Sequence, residues 1–351
     1  MPLSPLITDP DALDAAWLTQ ALYRAGILTV GQVREVQVET APSDNGLITR
    51  MRPSYSPDEP GPLPAALLLK ICTGVGFVGR SEVDFYTKDY VDLPDPPFPR
   101  CYDAGYDEAT GAYHLLLHDV SATHQNNWRV TPTLAYGYGL AESLAALHAH
   151  HWGKGLNLPD AAVLNRYMAN ITPGLQPMLD SLADGIDASW RQALSDIFAR
   201  HPAALLARTA SAQGFTLVHG DTNPGNILGP KSGEGRVYLI DRQPFDWSLT
   251  TWLGVSDLSY AMVHWWPTEL RRQFEQPVLQ RYHAQLTQRG VSGYSWEQLW
   301  NDYRLTAGQS IYVAVAWGVS ADDLANMRWV WWPQLQKAMA AFFDLRCWEV
   351  F

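Results

Sequence analysis

The apolar pattern of this chain changes period once, near residue 118, which limits it to folds built from two regions of different kind. Before that point, Val36-Gln37-Val38 and Leu47 to Met51 alternate as half-buried strands do, and 65–72 is a continuous apolar run that includes Lys70. Two more strands are predicted near 100–106 and 113–117, joined by the turn sequence DEATG. A helix is predicted over 14–25, with the stripe Trp17, Leu18, Ala21 and Leu22, and a short one over 81–90, stopped by LPDPPFP. After residue 118 the spacing becomes helical: Leu140, Leu144, Leu147, His148 and His151 share a face, and helices are predicted over 161–170, 174–200, 268–289, 296–316 and 321–345. Tryptophan follows the same divide, with fourteen of fifteen lying after residue 118. The expected regions are 1–118 and 119–351.

Composition narrows the class. A chain that is 47% hydrophobic and 17% charged is not a disordered tail. Its net charge of −11, of which −8 falls within 1–118, argues against nucleic acid or an anionic membrane as partner. Cys72, Cys101 and Cys347 are odd in number and widely spaced, so they read as reduced thiols and point to the cytoplasm. The first residues lack the basic and apolar regions of a signal peptide, and no apolar run is long enough to cross a membrane.

Inside the helical region one stretch breaks the pattern: FTLVHGDTNPGNILG, a predicted strand over 236–240, then DRQPFDW. It holds His219-Gly220-Asp221 and, five residues past Asp221, Asn226; Asp241 follows fifteen residues after Asn226. Phosphoryl transfer needs that set: one carboxylate to orient the attacking hydroxyl, and an amide and a second carboxylate to hold Mg²⁺ on nucleotide phosphates. The D-x-x-x-x-N step matches the catalytic loop of kinases. An Asn-Pro-Gly turn with capping acids would use the same residue types.

These residues resemble the aminoglycoside phosphotransferase and choline kinase branch of the protein-kinase-like fold, most closely its ecdysteroid-kinase-like group. The resemblance runs over about 14–345 and is carried by LVHGDTNPGNILG, LIDRQ, LLLKI, SEVDFY, YHLLLHDVS, LAALHAHHW and SDLSYA, in the family's order. It implies an α+β, two-lobed fold, with a small β-rich nucleotide-binding N-lobe (1–118) and a larger, mainly helical catalytic and acceptor-binding C-lobe (119–351). It also implies ATP and Mg²⁺ as cofactors, with ATP between the lobes, and a small-molecule hydroxyl acceptor as partner. Carried over by position, Asp221 is the catalytic residue, and Asn226 and Asp241 hold the metal. Lys70 contacts the phosphates with Glu82 as its ion-pair partner. Ser43, Asn45 and Gly46 form the phosphate loop, the backbone of His118 and Val120 takes the adenine, and His219 and Asp257 anchor the catalytic loop. Two departures stand out. Arg242 replaces the aromatic or apolar residue usual after the metal-binding Asp, and the 43–46 loop has a single glycine.

The implied activity is phosphorylation of a hydroxyl on an antibiotic, sugar, amino alcohol or steroid-like acceptor. The segment 264–351 has zero net charge and nine tryptophans, among them Trp265, Trp266, Trp329, Trp331 and Trp332. Aromatic walls suit a sugar face, an aglycone, a steroid-like body or a quaternary amine, whereas tryptophans that only fill a helical core would say nothing of the acceptor. A catalytically silent kinase-like nucleotide-binding protein is a second reading. A third is a dinucleotide-binding enzyme using Gly74-Val75-Gly76-Phe77-Val78-Gly79, but no parallel strand with an acid follows that loop. GNILGPKS at 225–232 fails as a phosphate-binding loop because Pro230 stands where glycine is required. His148, His150 and His151 read as core or capping histidines rather than metal ligands.

Overall fold

The strands predicted in the first 118 residues share one sheet, and the first helix covers one of its faces. The computed structural model describes residues 2–43, 46–58, 60–73, 80–153, 155–182, 185–242 and 248–351. Helix α1 (Ala15–Arg24) is capped by Asp14, whose carboxylate accepts the Trp17 N–H at 2.7 Å. Strands β1 (Val33–Ser43), β2 (Gly46–Tyr55), β3 (Leu67–Cys72), β4 (Cys101–Tyr106) and β5 (Tyr113–His118) form an antiparallel sheet in the order β1-β2-β3-β5-β4. Leu18, Ala21 and Leu22 of α1 share one buried cluster with Leu67, Leu69 and Ile71 of β3. Strand parity then puts Leu68 and Lys70 on the opposite face of β3. Lys70 pairs in register with Ile48 on one side and Leu115 on the other.

The chain forms two compact units: Met1–Gln125 with Ile240–Asp246, and Asn126–Leu239 with Trp247–Phe351. The first holds the five-stranded sheet and α2 (Ser81–Asp84), which widens to π geometry over Phe85–Asp89. A short strand, β6 (His124–Asn126), ends its main segment. The second unit is mainly helical, with α3 (Leu134–His151), α4 (Ala161–Ile171), α5 (Leu175–Leu182), α6 (Ala188–Arg208), α7 (Val255–Tyr260), α8 (Thr268–Gln288), α9 (Trp296–Ala316), α10 (Ala321–Asn326) and α11 (Arg328–Asp344). Helix α3 packs on α8, and α9 packs against α7 and α11. Two short antiparallel pairs frame the irregular stretch: β7 (Phe215–Leu217) with β10 (Thr251–Leu253), and β8 (Ile227–Pro230) with β9 (Tyr238–Leu239).

Two predicted helices differ from the sequence reading. The single helix expected over 174–200 is two, because Asp187 caps a fresh start by accepting the Trp190 N–H at 3.0 Å. The second of them runs on through Pro202 to Arg208. The helix expected over 321–345 also divides, at Met327. Trp252, Trp266 and Trp331 are buried in the core, whereas Trp329 is exposed. No helix among the described residues is long and apolar enough to cross a membrane.

Candidate functional site

In the first unit the motif residues converge on Lys70. Its Nζ lies 2.8 Å from Glu82 Oε2 and 2.7 Å from Asp241 Oδ1. Glu82 is buried on α2 and also accepts a hydrogen bond from the Tyr113 hydroxyl. Burial alone would lower the Lys70 pKa, but the two carboxylates overcome it and hold the ammonium charged well above its ordinary range. Burial is likewise the largest influence on Glu82 and pushes its carboxyl up, with Lys70 pulling the other way. Asp241 adopts φ +57°, in the left-handed region, which Asp tolerates better than most residues.

Arg242 gives a physical answer to the missing aromatic residue. Its side chain is only 4% exposed and its Nη1 lies 3.1 Å from Asp89 Oδ2. The Ser81 hydroxyl donates to the Arg242 carbonyl at 3.2 Å. A charged brace therefore ties the Asp241 segment to the helix that carries Glu82.

Ser43 and Gly46 are the paired ends of the β1–β2 hairpin, while Asn45 lies outside the described residues. A Cβ at Gly46 would fall 2.0 Å from the Ile71 carbonyl oxygen, so close approach to β3 by itself demands glycine there. His118 ends β5, and the Val120 carbonyl accepts the N–H groups of Thr123 and His124 at 3.0 and 2.9 Å. The Gly74 to Gly79 motif also lies outside the described residues.

In the second unit, the loop after β7 is held from below by Asp257 on α7. Asp257 Oδ2 accepts the His219 N–H at 2.7 Å and Oδ1 accepts the Gly220 N–H at 2.9 Å. The Thr222 hydroxyl donates to the Asp257 carbonyl at 2.6 Å. His148 Nε2 donates to Asp257 Oδ2 at 3.0 Å, and the Tyr282 hydroxyl donates to His148 Nδ1 at 2.7 Å. Burial pushes the Asp257 carboxyl up, but the His148 bond and its other partners bring it below the usual range. His148 is thus a buried brace for this loop, a part that its apolar helix face could not announce.

Asp221 sits above that anchor with its oxygens divided between two amides. Asn223 Nδ2 donates to Oδ1 at 3.0 Å, and Asn226 Nδ2 donates to both Oδ2 and the Asp221 carbonyl at 3.0 Å. The five-residue step therefore has a direct geometric meaning, since it brings the Asn226 amide onto the Asp221 carboxylate. The Tyr260 hydroxyl also faces Asp221, whose charge, after burial, raises the phenol pKa. Asp241 in the first unit carries a carboxylate and Asn226 in the second an amide oxygen, the hard donor types that Mg²⁺ takes. Among the described residues no group of three or more His, Cys, Asp or Glu is gathered as a metal site. Tyr113, Asn223 and Tyr260 were missed by sequence reasoning, of which only Tyr113, two strand positions before Leu115, carried a parity signal; His148 is the core histidine expected, with Asp257 as its partner.

The antiparallel sheet followed by a mainly helical part, with a fixed D-x-x-x-x-N loop, defines the kinase-like fold of small-molecule phosphotransferases. The same fold recurs in solved structures. A glucosamine kinase in complex with glucosamine, ADP and inorganic phosphate is 12% identical, with a TM-score of 0.60, covering 95% of this chain and 86% of that one. Choline kinase from Cryptosporidium parvum is 11% identical, with a TM-score of 0.55, over 90% of this chain and 91% of that one. Plasmodium vivax ethanolamine kinase is 9% identical, with a TM-score of 0.52, over 89% and 81%. No curated protein sequence matches. Residues 84–300 match the family model described as the phosphotransferase enzyme family, APH, and the chain belongs to that family.

Proposed function

We propose that this phosphotransferase moves the γ-phosphoryl group of ATP to a hydroxyl group of a small molecule, with Mg²⁺. The observation that carries the reading is the fixed Asp221 carboxylate, oriented by Asn223 and Asn226 on a loop anchored to Asp257. The acceptor oxygen would form the new bond to the γ-phosphorus while the bond to the β–γ bridging oxygen breaks and ADP leaves. The acceptor proton would pass to Asp221. Lys70, held charged by Glu82, would position the phosphates. Asn226 and Asp241 would hold Mg²⁺, which when bound neutralises phosphate charge. On this reading residues 1–118 bind the nucleotide, including adenine at the backbone of His118 and Val120, and 119–351 bind the acceptor. LVHGDTNPGNILG, LIDRQ and SDLSYA support a position near the ecdysteroid-kinase-like group within the family. The ADP and glucosamine named for the glucosamine kinase support a nucleotide and a small hydroxylated acceptor for this chain too.

A thermal-shift panel tests the reading. ATP with Mg²⁺ is expected to raise the melting temperature, by mass action on the folded state, and NAD(P) to leave it unchanged. Stabilisation by NAD(P) alone would contradict it.

A further inference from the structure

Asp257 holds residues 219–222 of the loop after β7, but residues 224–227 are held by a different part of the second unit, the turn just after β6. The Asn127 N–H donates to the Pro224 carbonyl at 2.9 Å, and Asn127 Nδ2 donates to the Ile227 carbonyl at 2.7 Å. Asn127 is buried, and its own carbonyl accepts the Val130 N–H at 3.2 Å, which closes the turn that presents it. One residue therefore grips the loop on both sides of Asn226. Ile227 opens β8, so the same grip fixes the point where loop becomes strand.

The loop is built to admit this clamp. A Cβ at Gly225 would fall 2.8 Å from Trp128 Nε1, and one at Gly229 would fall 2.9 Å from Asn127 Oδ1. Glycine at these two positions of N-P-G-N-I-L-G lets the backbone come that close to 127–128. Asn226 is consequently fixed twice. Its backbone is bracketed by the Asn127 bonds, and its own N–H donates to the Asn223 carbonyl at 3.0 Å. Its side chain donates from Nδ2 to the carbonyl and to Oδ2 of Asp221. An amide is planar, so bonds at its nitrogen also set where its oxygen lies.

We infer that Asn127 is a positioning residue for phosphoryl transfer: by holding the Pro224 and Ile227 carbonyls it sets the Asn226 side chain for its part in holding Mg²⁺. The inference rests on the role of Asn226 proposed above. Asn127 acts through the backbone of 224–227 and touches none of the reacting groups. Partners of this outer kind typically govern metal affinity about 10- to 100-fold, because they orient the group that ligates.

The test is calorimetric titration of ATP into the full chain, with and without Mg²⁺, for the parent, Asn127→Ala and Gly229→Ala. Asn127→Ala keeps the backbone bond to Pro224 and removes the side-chain bond to Ile227. Gly229→Ala leaves Asn127 in place and displaces its amide by contact with Oδ1. Both variants are expected to bind Mg²⁺-free ATP like the parent and to lose about 10-fold of the affinity that Mg²⁺ adds. If Asn127→Ala does not fold, Gly229→Ala carries the test alone. A lowered melting temperature with the Mg²⁺-dependent gain unchanged, in either variant that folds, would overturn the inference and leave Asn127 a purely structural residue. Equal loss of Mg²⁺-free and Mg²⁺-dependent affinity would also overturn it, because the damage then reaches beyond Asn226. A parent chain whose ATP affinity does not respond to Mg²⁺ would instead overturn the metal role of Asn226 beneath it.

Discussion

Lys70 is 11% exposed, and a lysine stays charged there only because Glu82 and Asp241 surround it. Removing the ammonium leaves Glu82 buried beside Asp241, so Lys70→Met should cost about 3 kcal/mol in urea unfolding. Replacing both partners, as Lys70→Met with Glu82→Leu, should recover much of that loss, because neither charge is then desolvated. A double variant less stable than the single would contradict this. His201 is the acid-sensitive counterpart in the helical unit. It is buried, donates from Nε2 to the Leu305 carbonyl at 2.9 Å, and has its pKa pushed down to about 4 by burial. The unfolded chain takes up that proton first, near the ordinary value of 6.5, so the contribution is complete above that pH and lost as pH falls toward 4. Between pH 7.5 and 5 the loss should be about 2 kcal/mol, and His201→Gln should flatten the slope. An unchanged slope would remove His201 from the account.

Arg242 links two elements that sequence patterns treat separately. Its pairing with Asp89 couples the segment after β9 to the π-widened turn after α2, 153 positions away along the chain. Asp89→Ala leaves a buried guanidinium without that carboxylate and should lower stability by about 3 kcal/mol, measured by urea unfolding. Loss of less than about 0.5 kcal/mol would mark the pair as incidental. Contacts of this length explain what the sequence could and could not disclose. The strands around Val36 and Leu47 and the stripe of α1 were legible because alternation and helical spacing are local. The break at Asp187 was not, since helical spacing continues on both sides of it and only the cap shows the restart. Arg242, read as a departure from the family pattern, becomes a brace only when Asp89 folds against it.

At the scale of the whole molecule, the D-x-x-x-x-N motif was legible as a motif, and the kinase-like fold followed from the resemblance it carried. What surrounds Asp221 was not legible. His148 and Tyr260 come from different helices, and their placement depends on how α3 and α7 pack. The proposed roles divide the two aspartates: Asp221 acts on the acceptor and Asp241 on the metal. Asp→Asn at either position removes charge with little change of volume. The measurement that separates them is calorimetric titration of ATP, with and without Mg²⁺, beside ADP release, for Asp221→Asn and Asp241→Asn. The expected result is that Asp221→Asn binds ATP with Mg²⁺ like the parent but loses turnover by a factor on the order of 10²–10⁴, whereas Asp241→Asn loses the Mg²⁺-dependent part of binding as well. Retained turnover in Asp221→Asn, or parent-like Mg²⁺-dependent binding in Asp241→Asn, would contradict the account.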